Sequence, residues 1–441
     1  MTEFTPWTLF TDVGIISVLL LLGKLLRVKV KFIQQFFIPP SLLAGFMGLA
    51  FGPNGLGWLP MSDNIGTYAA ILIALVFGSL PFSSSGLKGE RKQIAKMWAY
   101  SQVGMLWQWT LGGFLGIAIL SYLWNTDNFF GLAMPSDFIG GHGTAAAIGA
   151  AFSQLGYEDM MTLAMTAATV GIVSAVFIGL ALVKWGTRKG HTSFLSDFND
   201  LPKELRIGLI PEDKRESMGE AACSSISIDP LTFNFIVVSI VALGGYGLSK
   251  LVSYYIPNLQ MPVFSCAFVV GILLKFFFDK TKITGYICPK TVGHLSGTFT
   301  DLLVAFGISA IKLEVVLQYL APLLVLLLVG LLCTLLYVVI VGRMLMRQSY
   351  WFEKAVFTWG WFTGTMAMGI ALLRTVDPKM KSRCLEDYAL AYLFIAPVEI
   401  CLITFAPIVF VNGYGVIFTT AAFLLGLGIM LFAWLKGWMK N

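Results

Sequence analysis

The sequence predicts an all-α polytopic membrane protein with two halves of inverted topology. Each half has about five transmembrane helices and one re-entrant hairpin, and one extra helix follows at the C-terminus. Three observations lead to this fold class: the composition, the lengths of the apolar runs and two glycine-interrupted segments. Of the 441 residues, 57% are hydrophobic and 12% are charged, whereas soluble proteins carry roughly 25% charged residues. This composition excludes a water-soluble enzyme, and a net charge of +6 does not indicate a nucleic-acid partner.

Apolar runs long enough to cross a membrane follow one another along most of the chain. A transmembrane helix needs about 20 predominantly apolar residues. By this criterion, spans are predicted at residues 12–27, 37–53, 66–82, 97–123, 160–186, 231–256, 262–279, 295–311, 318–345, 388–411 and 414–435. No basic residue precedes the first run, so we expect a retained span there rather than a signal peptide.

One hydrophilic connection, residues 187–230, interrupts this pattern and contains 14 charged residues. It divides the membrane-embedded sequence into two halves of similar length. The predicted units are an N-terminal membrane half at 1–186, a cytoplasmic polar linker at 187–230, an inverted C-terminal membrane half at 231–411 and an extra transmembrane helix at 412–441.

Basic residues predict the orientation, because they concentrate in cytoplasmic loops. With the N-terminus outside and both glycine-rich segments re-entrant, only Lys250 and Lys312 fall near the outer face. If either glycine-rich segment crossed the membrane fully, several basic clusters would lie outside. We therefore expect a multi-pass protein of the cytoplasmic (inner) membrane, with the linker inside and membrane lipids around the helices.

A weak internal repeat relates the two halves. The segment IPPSLLAGFMG has a counterpart in MPVFSCAFVVG, with a proline and a glycine at the same separation, and that separation also carries Gly141 onto Gly364. Chance alignment of glycines in a glycine-rich chain is the alternative. Because the first half begins outside and the second inside, the repeat would be inverted. Inverted repeats with broken segments at matching positions are typical of secondary transporters.

The first broken segment, 129–155, reads FFGLAMPSDFIGGHGTAAAIGAAFSQL and carries Gly140, Gly141 and Gly143. Each of these glycines would destabilise a continuous helix by about 1 kcal/mol relative to alanine. The segment therefore predicts a turn at membrane depth. Such a turn exposes N–H groups to an anion and carbonyl groups to a small cation. Close helix packing through small residues is the alternative explanation.

Two ionisable residues of this segment, Asp137 and His142, lie at membrane depth, where ionisable groups are costly and usually functional. Thr144 precedes a run of alanines and is a possible cap for the helix that follows.

The second broken segment, 354–377, contains Thr363, Gly364 and Thr365 at its centre. Arg374 lies near its end and offers a planar fork of donors suited to a carboxylate. Alternatively, Arg374 is an ordinary base of the inner face.

A few other residues within predicted spans are candidates. Asp301 needs a partner or a cation, and Glu399 is similar. Thr166 and Thr169 could add hydroxyl ligands for Na⁺, although membrane threonines more often bond back to their own helix. The cysteines and histidines are too scattered for a transition-metal site, and no P-loop or H-E-x-x-H motif is present. We therefore expect a protein that is not an enzyme.

The sequence resembles the bacterial sodium/glutamate symporter family. IGGHGTAAAIGAAF, residues 139–152, is similar to that family's Gly-Gly-His-Gly-Thr hairpin, and AMTAATVGIV resembles the segment after it. IPPSLLAG, LVFGSLPFSSSGLKG and AIKLE are similar in placement. The resemblance covers roughly residues 12–410. The chain departs from the family at Met366, Ala367 and Met368, where the family has a Thr-Pro-Thr-like stretch, and at Asp301, where a small hydroxyl residue is expected.

The resemblance implies symport of glutamate with Na⁺ as the coupling ion, by a homodimer that moves one domain against the other. Together with the residue chemistry, it assigns the candidate sites. The substrate-binding candidates are Gly140, Gly141, His142, Gly143, Thr144, Thr363, Gly364, Thr365 and Arg374. The sodium-binding candidates are Asp137, Thr169 and Asp301. The alternatives are an H⁺-coupled carboxylate carrier acting through Asp301 or His142, or a channel or intramembrane enzyme.

Overall fold

The structure, a computed structural model, describes residues 5–35, 38–83, 90–194, 207–212, 215, 217–256, 261–347, 349–377 and 380–439. Within these ranges the regular secondary structure is all helical, with no strands. The helices are α1 (Pro6–Lys29), α2 (Lys31–Gln35), α3 (Pro40–Phe51), α4 (Tyr68–Ser83), α5 (Arg91–Trp124), α6 (Pro135–Phe138), α7 (His142–Gln154), α8 (Asp159–Arg188), α9 (Pro230–Tyr255), α10 (Val263–Thr281), α11 (Pro289–Ser309), α12 (Leu313–Gln318), α13 (Leu320–Met346), α14 (Trp351–Thr363), α15 (Met366–Val376), α16 (Cys384–Val411) and α17 (Gly415–Leu435).

Eight of the helices in the described ranges are long and apolar enough to cross a membrane, which confirms a polytopic membrane protein. They are α1, α4 with the turn before it, α5, α8, α9, α13, α16 and α17. The predicted spans at 37–53, 262–279 and 295–311 are not among these eight, and the first of them is shorter than expected. Its helix, α3, has 12 residues and is about 18 Å long at 1.5 Å per residue. Pro39 and Pro40 fix where α3 starts, and the chain leaves the helix at Gly52.

Two of the long helices, α1 and α9, start at residues with capping chemistry. Thr5 and Thr8 form a reciprocal capping box at α1, and Asp229 accepts the backbone N–H groups of Leu231 and Thr232 at α9. Proline occupies the first helical position in both cases, where its missing N–H would have no helical partner.

The helices pack as two groups. In the first helix group, α1, α3, α4, α9, α10 and α11 contact one another. In the second helix group, α5, α8, α13, α16 and α17 surround two short hairpins. The first hairpin comprises residues 128–154 and includes α6 and α7, and the second comprises residues 351–376 and includes α14 and α15. The two groups meet where α4 and α11 contact α7 and α8.

Contacts between elements define two ends of the molecule. At the Asp12 end, Asp12 accepts hydrogen bonds from Ser62 N at 2.8 Å and Tyr68 Oη at 2.7 Å. At the Glu353 end, Ser193 N donates to Glu353 Oε1 at 2.6 Å. Each long helix of the two groups runs from one end towards the other.

The two hairpins enter from opposite ends. The first hairpin starts and finishes at the Asp12 end, where the rings of Phe129 and Tyr157 lie 4.6 Å apart and Phe130 contacts Tyr319. The second starts and finishes at the Glu353 end, where Lys354 pairs with Asp387 at 2.9 Å.

The order of elements repeats along the chain. The series α1, α3, α4, α5, first hairpin and α8 is followed by α9, α10, α11, α13, second hairpin and α16. The linker separates the two series, and α17 is additional to both.

Candidate functional site

The tips of the two hairpins meet inside the second helix group. A methyl group added to Gly141 would lie 2.9 Å from Thr365 Cγ2 and 3.1 Å from the carbonyl oxygen of Gly364. Gly140 and Gly141 have φ angles of +83° and +62°, which glycine adopts without the strain that other residues incur. The predicted turn therefore exists, and it is the point at which the two hairpins touch.

The helix after the first tip begins earlier than predicted. α7 starts at His142 with Gly141 as its N-cap, so Thr144 lies within the first turn and is not the cap. The Thr144 hydroxyl instead donates back to the carbonyl groups of Ile139, at 2.6 Å, and Gly141, at 3.0 Å. Without a capping side chain, the first N–H groups of α7 remain at the tip.

His142 connects the first tip to α8. Its Nε2 lies 3.0 Å from Thr169 Oγ1, and the Thr169 hydroxyl donates to the Met165 carbonyl at 2.8 Å. Since that hydroxyl has one proton, its remaining role is to accept, so Nε2 carries the ring proton in this arrangement. The other ring nitrogen, Nδ1, is buried and has no hydrogen-bond partner among the described residues.

Asp137 is buried next to the same tip. The Ser136 oxygen lies 2.8 Å from Asp137 Oδ1 and 2.7 Å from the Leu132 carbonyl oxygen. Asp137 Oδ2 has no partner in the part of the chain that the structure describes. A fully buried carboxyl group with an unused oxygen is costly unless it binds a cation or a proton.

The second tip offers main-chain groups and two threonines. Thr363 is fully buried and donates to the Trp359 carbonyl at 2.8 Å. Its own carbonyl oxygen would lie 2.4 Å from a methyl group added to Gly171 of α8, so this tip packs directly on α8. Thr365 caps α15 by accepting the N–H of Met368. Gly364 and Thr365 contact the first tip at Gly141, and Thr363 lies against α8.

Other predicted residues lie elsewhere. Arg374 is exposed on the last turn of α15, about 12 Å along the helix axis from its start. Asp301 is exposed on α11, where it interacts with the Ser41 hydroxyl of α3. Glu399 accepts a hydrogen bond from Tyr392 Oη at 3.1 Å, and Thr166 bonds back to the Thr162 carbonyl. Of these residues, Glu399 reaches the second hairpin through Tyr392, whose ring lies 6.5 Å from that of Trp361.

A buried amide that the sequence analysis did not identify lies beside the second tip. Gln108 Nε2 donates to Thr334 Oγ1 at 2.9 Å and to the Phe362 carbonyl at 3.1 Å. The signal was a glutamine inside an otherwise apolar run, which a search limited to ionisable residues does not find.

A cavity of about 460 Å³ opens between the two helix groups on the side of the Asp12 end. Ala69 of α4, Ala150 of α7, Met165 of α8 and Gly307 of α11 line it, and Lys312 lies at its edge. The end of α7 that is opposite the first tip therefore borders this cavity.

The site combines two kinds of group. The start of α7 provides N–H donors and the positive end of a helix dipole, which suit an anion. Asp137 and the hydroxyl groups provide oxygen ligands of the kind that hard cations prefer. No cluster of three or more His, Cys, Asp or Glu residues able to hold a metal ion occurs in the described ranges.

Comparison with protein families agrees with this architecture. The model of the sodium/glutamate symporter family matches residues 8–371, which include both hairpin tips. No curated protein sequence matches the chain. The family consists of membrane transporters, and its match covers most of the 441 residues. The chain therefore belongs to the sodium/glutamate symporter family.

Proposed function

We propose that this protein is a secondary active transporter that couples the uptake of glutamate, or a related small anionic amino acid or carboxylate, to Na⁺ entry across the cytoplasmic membrane. The observation that carries the proposal is the meeting of two hairpin tips from opposite ends, with Asp137 and His142 buried beside them. Broken helices that meet at mid-membrane supply both anion and cation sites in secondary transporters.

In this proposal the substrate carboxylate binds at the first turn of α7. The backbone N–H groups of His142, Gly143 and Thr144 lie there with the helix dipole, and the bond from His142 Nε2 to Thr169 holds the start of α7 against α8. The backbone around Gly140, Gly141 and Gly364 and the hydroxyls of Thr363 and Thr365 complete the binding surface. Arg374 would join this surface only if α15 moved, because it now lies at the opposite end of that helix.

Sodium is assigned to Asp137 and Thr169. Asp137 Oδ2 provides a negatively charged ligand without a competing partner among the described residues. Thr169 provides a hydroxyl oxygen, and its hydrogen bond with His142 places it beside the first tip. Asp301 is a separate sodium candidate on the first helix group, beside Ser41.

We further propose that the two series of helices form an inverted repeat, and that the second helix group moves against the first during transport. The N-terminus would lie outside and the linker inside. Two protomers would associate as a homodimer, as the family resemblance implies.

A second candidate function, H⁺-coupled transport, is favoured by the geometry around Ser136. Its hydroxyl has one proton but faces two acceptors, the Leu132 carbonyl and Asp137 Oδ1. A protonated Asp137 would donate to Ser136, which could then donate to Leu132. A proton on Asp137 therefore satisfies the hydrogen bonds of Ser136 and Asp137 without a bound cation.

Reconstituted proteoliposomes test both functions. We expect labelled glutamate to accumulate when an inward Na⁺ gradient is imposed, and unlabelled aspartate and glutarate to compete if recognition rests on carboxylates. Accumulation driven by an inward proton gradient in the absence of Na⁺ would instead support H⁺-coupled transport. Uptake that ignores both gradients would exclude coupled symport.

A further inference from the structure

Gln108 lies where α5 passes from one hairpin to the other. One turn before it, a methyl group on Gly104 would lie 2.2 Å from the ring of Phe362 in the second hairpin. One turn after it, a methyl group on Gly112 would lie 2.7 Å from Pro135 in the first hairpin. The Gln108 side chain is 2% exposed and so occupies the buried junction between the two hairpins.

Helix α13 passes both hairpins in the same way. Gly330 packs closely against Met134 of the first hairpin, and the Tyr337 ring lies 6.0 Å from that of Phe362 in the second. Thr334 lies between them, one turn from Gly330, and accepts the hydrogen bond from Gln108. The Gln108–Thr334 bridge therefore joins the two helices at the level of the tips.

The second bond of the amide goes to main chain. Phe362 is near the end of α14, where carbonyl groups have no partner within the helix. A carbonyl can only accept, which places the NH2 group of Gln108 against it and fixes the orientation of the amide. Holding this carbonyl fixes the peptide plane two residues before Gly364.

We propose that Gln108 is a positioning residue for the transport site. Its amide holds the Phe362 carbonyl, and Thr334 holds the amide, so that the second tip keeps its contact with Gly141. This proposal rests on the proposed function, because the tips are its substrate site. Gln108 acts through Phe362 and need not touch the substrate.

Gln102 provides a matched control. It lies on the same helix, is 1% exposed, and neither of its amide atoms has a partner in the described structure. Q102M therefore makes the same chemical change in the same helix without removing a bond to a hairpin.

The test combines transport kinetics with hydrogen exchange in lipid nanodiscs. We expect Q108M to raise the KM for the transported substrate about tenfold, the effect of losing the buried hydrogen bond that holds the Phe362 carbonyl, with a smaller change in Vmax. Backbone amides of residues 360–369 should exchange faster in Q108M and at the wild-type rate in Q102M. T334S should resemble the wild type, and T334V should raise KM by a smaller factor, about threefold.

Unchanged KM and unchanged exchange in Q108M, or equal effects of Q102M and Q108M, would overturn the proposal. If Q108M does not fold, the threonine pair decides: a change in T334V alone supports the proposal, and identical behaviour of T334V and T334S contradicts it. Hydrogen exchange needs no substrate. If the wild-type protein does not take up glutamate, the proposed function fails while the positioning role is still tested.

Discussion

At the first tip, Gly141 meets two requirements that only glycine satisfies together. Its φ of +62° lies in the left-handed region, and its missing side chain leaves room for Thr365 and Gly364 of the second hairpin. Asp137, four residues earlier, has one carboxylate oxygen, Oδ2, without a hydrogen-bond partner among the described residues. For each of these two residues, a substitution and its control distinguish an effect on transport from an effect on protein stability.

We predict that Gly141→Ala abolishes most transport. The alanine would suffer backbone strain of about 1 kcal/mol, and its methyl group would force the tips apart. Gly156→Ala is the control, since Gly156 has a φ of +93° but no atom within 4 Å of an added methyl group. Uptake rates and thermal unfolding of both purified variants check this. Equal loss of transport in both would assign the effect to strain alone.

We predict that Asp137→Asn raises the Na⁺ concentration for half-maximal uptake at least about tenfold, because the substitution removes a ligand charge and nearly preserves shape. Stability should not fall. Asp12→Asn is the control: that carboxyl accepts bonds from Ser62 and Tyr68, so this variant should lose stability and keep its Na⁺ dependence. An unaltered sodium response in Asp137→Asn would remove Asp137 from the coupling site.

At the scale of elements, the second hairpin is fastened at its base. Lys354 at the start of α14 is fully buried and bonds to Asp387 of α16 at 2.9 Å and to Ser349 at 3.1 Å. Asp377, at the end of α15, accepts the N–H groups of Lys381 and Ser382. The start of α14 is therefore joined to α16, and the end of α15 is joined to the loop that leads into α16.

We predict that Lys354→Met destabilises the protein by about 3–5 kcal/mol, because it leaves a buried carboxylate without its partner. The double variant Lys354→Met/Asp387→Leu should recover much of this loss. Arg383→Gln is the control, since the Arg383–Glu386 pair is 2.8 Å long but 56% and 48% exposed and should contribute at most about 1 kcal/mol. Thermal unfolding in detergent measures all three. A double variant no more stable than Lys354→Met would contradict the explanation.

The sequence predicted where the hairpins lie better than it predicted which side chains face the site. The glycines and the ionisable residues at 137 and 142 identified the first hairpin, because breaks and charges stand out in apolar sequence. Arg374 satisfied the same criterion, yet it lies at the far end of α15. The criterion considers only the residue type and takes no account of distance along the helix. Gln108 was missed because a neutral amide does not disturb an apolar run, and its importance depends on a carbonyl far away in sequence.

At the scale of the whole molecule, the direction of every helix is linked to one choice of orientation. The described part of the linker lies at the Glu353 end, where Gly208 accepts from Lys24 and Ser193 donates to Glu353. Fixing the side of any one of these residues therefore fixes the sides of both hairpins.

We predict that Ser217→Cys is labelled from the cytoplasm and Asn128→Cys from outside, each in a variant without the native cysteines. Both positions are exposed, one in the linker and one where the first hairpin begins. A membrane-impermeant maleimide applied to intact cells should modify only Asn128→Cys, and permeabilised cells should show both. The reverse labelling pattern would show that the protein has the opposite orientation and that the first hairpin enters the membrane from the cytoplasmic side.

The contact between the tips has a further consequence for insulation. Because each hairpin is rooted at one end and reaches only to the middle, neither forms a barrier across the whole thickness. In the proposed transporter, the contact around Gly141 and Gly364 is therefore part of the barrier between the two aqueous compartments. Damage at this contact should not merely silence the carrier. It should produce a leak, with ions passing down their gradient while no solute is accumulated.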